Sequence, residues 1–216
     1  MNKTFQRTSL ALVLAASALG SLTACVPMVL GGAMVGGSMM ATDRRTSGTQ
    51  VEDEGIELKA AARIRENLGE RVHVNITSYN RQVLITGEVP NAQDKELVER
   101  VVKGVENVSN IVNELGILGN TTLSQRSNDT LVTGRVKAAL VDAQDIFANA
   151  FKVTTERGVV YLMGRVTQRE AKRATDVIIK TSGVLRLVRV LEIVSEEELA
   201  RIVPPRQPAE KNKPSN

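Results

Sequence analysis

Apolar and polar positions follow one another in the same order twice along the chain. Val83-Leu84-Ile85-Thr86-Gly87-Glu88-Val89 recurs as Val160-Tyr161-Leu162-Met163-Gly164-Arg165-Val166. Each copy is an apolar strand-like run that reaches a Gly, then a charged residue, then Val. A shorter strand pattern precedes each, Val74-Asn75-Ile76-Thr77 and Phe151-Lys152-Val153-Thr154, and a polar turn with an amphipathic helix pattern follows each. A repeat of this length sets the architecture before any site is considered. The chain reads as two copies of one small module.

In the first copy, residues 55–68 have helical spacing, with Leu58, Ala61, Ile64 and Leu68 on one face and Gly69 as terminator. Val72, Val74 and Ile76 alternate with His73, Asn75 and Thr77 as a half-buried strand. Residues 79–82 make a turn into a strand over 83–86. Pro90-Asn91 opens a second helix, with Asn91 as N-cap, Asp94 three residues on, and Leu97, Val98, Val101 and Val102 as its apolar stripe. Gly104 ends it, and residues 108–118 form a last strand. The order is α-β-β-α-β.

Residues 120–128 read as a Thr/Ser/Asn-rich joint. Asp129 is the expected cap of a helix through Leu140, with Val132, Val136, Ala139 and Leu140 turned to a sheet. Leu131 falls at or beyond the edge of that stripe, beside Arg135. It is either an exposed apolar residue with a neighbouring cation or a residue packed at the boundary between modules. The stretch 141–150 is about five residues longer than its counterpart, through a longer helix or an added loop. Glu156-Arg157-Gly158 is the hairpin turn, and Thr167-Gln168-Arg169-Glu170 is a capping box. Ala171, Ala174, Val177 and Ile178 face inward; Arg169, Lys172 and Arg173 face outward. Gly183 closes that helix, and residues 184–194 are the last strand. Ser195-Glu196-Glu197-Glu198 caps a short extra helix, and the Pro- and Lys-rich tail from Pro204 is expected to be disordered. Gly87 and Gly164 read as structural, each ending a strand where the backbone bends or a helix approaches closely.

Charge and composition narrow the chemistry. The 216 residues carry a net charge of +4, no Trp and a single Cys. That excludes an internal disulfide and a Cys-clustered metal site, and it lacks the basicity and interleaved aromatics of a nucleic-acid binder. The copies differ in charge. Residues 129–194 hold eleven Lys/Arg against seven Asp/Glu, whereas residues 56–115 hold eight against nine. His73, the only histidine, lies on the polar face of an ordinary strand with no partner indicated, so a metal or catalytic role is not expected. Neither a phosphate-cradling loop nor a paired nucleophile and base is present, and no enzyme or cofactor is indicated.

The amino terminus reads as an address. Lys3 and Arg7 precede a short apolar run over 10–19, too brief to span a bilayer. It ends in Leu22-Thr23-Ala24-Cys25, which resembles the bacterial lipobox. That resemblance implies a signal peptide over 1–24 and acyl chains on Cys25. Several chains make attachment stable where one is marginal. Val26 follows the Cys instead of the acidic residue associated with inner-membrane retention, so the implied destination is the periplasmic face of the outer membrane. The Gly-rich run 26–41, with its Gly32/Gly36 spacing, and the polar stretch 42–54 read as a tether.

Two such modules behind a lipobox resemble the BON-domain family of bacterial envelope proteins. The resemblance rests on Ser47-Gly48-Thr49-Gln50-Val51, Val83-Leu84, Pro90-Asn91-Ala92, Ser127-Asn128-Asp129-Thr130, Lys152-Val153-Thr154-Thr155-Glu156 and Tyr161-Leu162-Met163-Gly164, and it covers residues 47–194. It implies an α+β fold of two tandem BON domains, 55–118 and 128–194, joined by a linker over 119–127. Each is a small three-stranded mixed sheet covered by two helices, with 195–216 as an appendage. It further implies binding of anionic phospholipid (phosphatidylglycerol, cardiolipin) through the first helix of the second module. The positions implied are Thr130, Leu131, Gly134, Arg135 and Ala138, supported by Lys137, Arg169, Lys172 and Arg173. A role in outer-membrane integrity and stress, at the division site, goes with it. Where similar lipoproteins present a Trp on that helix, this chain has Leu131, a weaker interfacial anchor.

Two function classes therefore compete. One is a phospholipid-binding lipoprotein whose weak docking is sufficient because the anchor keeps it at the membrane. The other is a protein-interaction or chaperone-like module acting on envelope assembly or peptidoglycan-remodelling partners.

Overall fold

The structure is a computed structural model that describes residues 43–202. The signal segment, Cys25, the Gly-rich run and the tail from Pro204 lie outside the described residues. The first module comprises α1 (Ser47–Leu68), a 3-10 turn (Gly69–Arg71), β1 (His73–Tyr79), β2 (Gln82–Val89), α2 (Ala92–Lys103), β3 (Asn110–Asn113) and β4 (Gly116–Ile117). The second comprises α3 (Leu123–Asp142), a 3-10 turn (Ala148–Ala150), β5 (Phe151–Glu156), β6 (Val159–Thr167), α4 (Gln168–Ile178) and β7 (Arg186–Val194), followed by α5 (Glu196–Ile202). In each sheet the central strand pairs antiparallel with the first and parallel with the last, in the orders β1-β2-β3 and β5-β6-β7.

The α-β-β-α-β order holds in both copies, but both first helices begin earlier than the apolar pattern predicts. The hydroxyl of Thr46 accepts a hydrogen bond from Thr49 N (3.1 Å) and starts α1 at Ser47. Thr122 does the same for α3 from Gln125 N (3.3 Å), in a reciprocal capping box. The linker expected up to residue 127 is thus cut to Gly119–Thr122, and Asp129 lies inside a helix instead of capping it. On α1 the buried stripe is Asp53, Ile56, Ala60, Ile64 and Leu68, while Leu58 and Ala61 face out. The same intervals recur on α3 as Asp129, Val132, Val136 and Leu140.

That repeated buried Asp organises each hairpin. Asp53 accepts hydrogen bonds from the amides of Asn80 and Arg81 (both 2.8 Å) and from the Ser78 hydroxyl (2.6 Å). Asp129 accepts from the amides of Arg157 and Gly158, both at 2.8 Å. Both turns have two consecutive residues with positive φ, Asn80-Arg81 (51° and 64°) and Arg157-Gly158 (50° and 72°). This is the geometry of a two-residue hairpin loop. Each carboxylate fixes a turn that two non-Gly residues, or one, would not favour unaided.

Gly87 and Gly164 do not end their strands, since pairing runs through both to Glu88 and to Thr167. A Cβ on Gly87, at φ +111°, would collide with the carbonyl oxygen of His73, and one on Gly164 with that of Ala150. Close approach of the neighbouring backbone requires the glycine in each case. The single last strand expected over 108–118 is divided. Leu115 turns into the core, and Asn113 Oδ1 accepts from its amide (3.2 Å), which separates β3 from β4.

The two sheets pack face to face with helices on the outside, giving an α-β-β-α stack. Val83, Ile85 and Val89 of β2 join α1 and α2 in the first core, and Val160, Leu162 and Val166 of β6 join α3 and α4 in the second. The opposite faces meet in a third core of Tyr79, Leu84, Tyr161, Met163 and Val190. Both central strands are thus covered on both sides, and the polar face of β1 turns to the second module, with Thr77 buried, His73 half-buried and Asn75 exposed. The segment 43–46, read as part of a tether, is docked as well. Arg44 donates to both carboxylate oxygens of Glu170 (2.8 and 2.6 Å) and to the Arg165 carbonyl, with both side chains about 1 % exposed. Arg45 bridges Asp43 and Asp53 and lies 4.3 Å over the Tyr79 ring.

Candidate functional site

The outer face of α3 is the candidate site. At 100° per residue, Leu123, Thr130, Leu131, Gly134, Ala138 and Val141 fall within an arc of about 100°, opposite the buried Asp129, Val132, Val136 and Leu140. All six are exposed, with Leu123 at 81 %, Leu131 at 59 % and Val141 at 66 %. Of the two readings left open for Leu131, the structure shows the exposed one. The face runs about 27 Å along the helix axis.

Cations flank this face on both sides, Arg135 along one edge and Lys137 along the other. Among the described residues neither forms an ion pair, and neither does Lys172 on α4. Arg169 and Arg173, expected as supporting cations, are each ion-paired: Arg169 Nε lies 3.4 Å from Glu196, and Arg173 Nε 2.8 Å from Asp145. The added segment between α3 and β5 supplies Asp145, and α5 supplies Glu196, so two of the supporting cations are neutralised by elements the first module lacks. The Thr130 hydroxyl donates to the Arg126 carbonyl (3.0 Å) and is spent on its own helix.

Gly134 stands out. A Cβ there would meet nothing within 4 Å, so no packing reason keeps it glycine. Gly inside a helix costs about 1 kcal/mol relative to Ala. Its effect is a notch in the middle of the exposed stripe. Near Val141 the face opens onto a cleft of about 490 Å³ lined by Arg45, Tyr79, Lys137, Phe151 and Lys152, among others. In that cleft Lys152 is paired with Glu57 (2.6 Å) and Arg45 with Asp43 and Asp53, which leaves Lys137 as a cation without an ion pair among the described residues, beside apolar walls. The arrangement suits a ligand with an apolar body and an anionic head.

On the equivalent face of α1, the positions of Thr130 and Val141 are held by Glu54 and Arg65. The cations Lys59 and Arg63 there are drawn to Glu106 at 3.3 and 3.4 Å. Val51 and Leu58 are exposed on that helix, but the face is broken by charge. The difference between the copies lies on these outer surfaces.

His73 has partners that the pattern did not indicate, because the face taken as solvated is the inter-module face. Its Nδ1 lies 2.9 Å from Glu88 Oε2, and Arg157 Nε donates to Glu88 Oε1 at 2.8 Å. Thr121 adds its amide and hydroxyl to Glu88 Oε2, both at 3.2 Å. Burial opposes ionisation of Glu88, but the hydrogen bonds from Arg157, His73 and Thr121 prevail and hold its carboxyl below the usual value. Across the interface, Asn75 Nδ2 donates to Glu156 Oε1. One donor atom each from His73, Glu88 and Glu156 lie within 4.8 Å of one another. A sequence signal existed for one of them: Glu88 is a carboxylate between Gly87 and Val89 at the end of a run that otherwise reads as apolar.

A family model described as the BON domain matches residues 53–119 and again 128–195. The chain is 37 % identical over 173 residues to the outer membrane lipoprotein DolP of Haemophilus influenzae, covering 79 % of this chain and 89 % of that protein. It is 31 % identical to a 21 kDa hemolysin of Actinobacillus pleuropneumoniae, covering 70 % and 79 %. It is 28 % identical to the osmotically-inducible protein Y of Escherichia coli, covering 63 % and 70 %.

Proposed function

The chain belongs to the BON-domain family, and from that premise we propose that it is an outer-membrane lipoprotein whose second BON domain docks on anionic phospholipid. It is a binding protein and not an enzyme, held at the periplasmic face through acyl chains on Cys25. In that place it supports outer-membrane integrity, at the division site. One observation carries the reading: α3 exposes Leu123, Leu131 and Val141 on a single face between Arg135 and Lys137, neither of which is ion-paired among the described residues. An apolar stripe inserts at the level of the acyl boundary, and each cation held at an anionic surface adds about 1 kcal/mol. That is weak docking, and an anchored protein needs no more.

The experiment uses the chain from Val26 onward, so that the protein's own affinity is read without acyl chains. Co-sedimentation with vesicles of phosphatidylglycerol or cardiolipin is compared with zwitterionic vesicles. Full burial of a Leu is worth about 1.5–3 kcal/mol, and Leu131 starts partly covered. Adding the repulsion of a new carboxylate, Leu131→Glu costs about 2–3 kcal/mol, or roughly 30-fold or more in affinity. Binding that ignores headgroup charge, or that survives Leu131→Glu, contradicts the proposal. A single protein adduct from α3 in crosslinked cells, with no vesicle binding, would favour an envelope protein as partner.

A further inference from the structure

We propose that His73, Glu88 and Glu156 form a binding site for a divalent transition metal of the zinc class, bridging the two modules. His73 on β1 and Glu88 on β2 are cross-strand partners, and Glu156 reaches them from β5 of the other module. Tetrahedral coordination at 2.0–2.1 Å sets ligand atoms about 3.4 Å apart. The His73 Nδ1–Glu88 Oε2 separation is 2.9 Å, and all three donors lie within 4.8 Å, so small side-chain movements are enough. The nitrogen and carboxylate set suits zinc and its neighbours better than it suits calcium or magnesium, which prefer all-oxygen shells.

The charge balance agrees. Glu88, Glu156 and Asp129 gather here, and Asp129 has both oxygens committed to the amides of the hairpin turn. Glu88 shares one oxygen with Arg157 and turns the other to His73 and to the amide and hydroxyl of Thr121. Glu156 receives a hydrogen bond from Asn75 and lies buried. The like charges of Glu88 and Asp129 stand close to it. A cation relieves that repulsion. The remaining coordination position is open, because His73 and Glu156 line a cleft of about 370 Å³ together with Asn75, Arg126, Thr130 and Thr154. The cleft is wide enough for a water ligand. Thr130 belongs to α3, so the site adjoins the helix that bears the exposed stripe. Arg157 competes for Glu88, which sets the affinity in a modest range.

The full chain is purified in detergent, stripped with a chelator and titrated with Zn(II) against a chromophoric competitor. Co(II) is used in parallel as a spectroscopic probe. The expected result is one metal per chain, a Co(II) spectrum of mixed nitrogen and oxygen ligation, and a higher unfolding temperature with metal present. His73→Ala and Glu156→Gln, one from each module, should each weaken binding by at least about tenfold. Circular dichroism checks that both variants fold. If a variant does not fold, the metal-induced rise in the unfolding temperature of the unsubstituted chain decides. The proposal is overturned by absence of stoichiometric binding, by no rise in unfolding temperature, or by binding that either variant leaves unchanged.

Discussion

Arg44→Met removes one half of a buried ion pair and tests whether the segment before α1 is part of the folded unit. Arg44 and Glu170 are almost wholly buried and joined by two hydrogen bonds, and Arg44 also donates to the Arg165 carbonyl. Breaking a buried pair by deleting one partner costs about 3–5 kcal/mol, because the other charge is left uncompensated. Glu170 keeps its hydrogen bonds from the amide and hydroxyl of Thr167 (3.0 and 3.3 Å), which places the expected loss near the lower end, about 3 kcal/mol. Urea unfolding followed by circular dichroism and Tyr fluorescence measures it, since the chain has no Trp. The double substitution Arg44→Met with Glu170→Gln replaces the pair by neutral groups and should recover part of the loss. A pH test separates charge from packing. Burial works against ionisation of Glu170, yet the hydrogen bonds from Arg44 and Thr167 hold its carboxyl below the usual value. Its contribution is therefore complete above the unfolded value of about 4.3 and is lost as pH falls through the lower folded value. The gap between the unsubstituted chain and Arg44→Met should narrow below about pH 4. A loss under about 1 kcal/mol at neutral pH, or a gap independent of pH, would refute the reasoning.

Asp129→Ala leaves the amides of Arg157 and Gly158 without their acceptor and should cost about 2–4 kcal/mol, with Asp53→Ala at least as severe; urea midpoints measure both. Asp53 and Glu88 are carboxyls held below their usual values against the cost of burial, Asp53 by Ser78, the Arg81 amide and Arg45, and Glu88 by Arg157, His73 and Thr121. Stability should therefore fall as pH drops below about 4.5, measured as unfolding temperature against pH. Glu156 has the opposite sign. Its raised carboxyl makes the neutral form favoured in the fold, so Glu156→Gln in chelator should stabilise the chain at pH 7, and the gain should vanish below about pH 4.

Much of the fold was legible because the repeat and the helix caps are local signals. Asn91, the Thr167–Glu170 capping box and the turn at Arg157-Gly158 all stand where short-range chemistry puts them. The failures share a cause in contacts distant along the chain, some within a module and some between the two. Asp53 and Asp129 are polar residues in buried stripes, and their meaning depends on hairpin turns about 28 residues downstream. Leu58 and Ala61 fit a helical period as well as Ile56 and Ala60 do, and only the position of the sheet chooses between them. Arg44 read as tether because its partner Glu170 belongs to the second module, and His73 as surface because the second module, with Glu156, lies against its strand. The exposed position of Leu131 was legible as an alternative, since it follows from period alone. The capture of Arg169 and Arg173 by Glu196 and Asp145 was not, because it depends on where α5 and the added segment come to rest.

The central claim is that the outer face of α3 is the lipid-docking surface. Amide chemical shifts of the chain from Val26 onward, followed during titration with phosphatidylglycerol micelles, test it most directly. The expected shifts are concentrated on Leu123, Leu131, Gly134, Ala138 and Val141, with little change on α1 and none of comparable size with zwitterionic micelles. Shifts centred on α1, or equal responses to both headgroups, would contradict it.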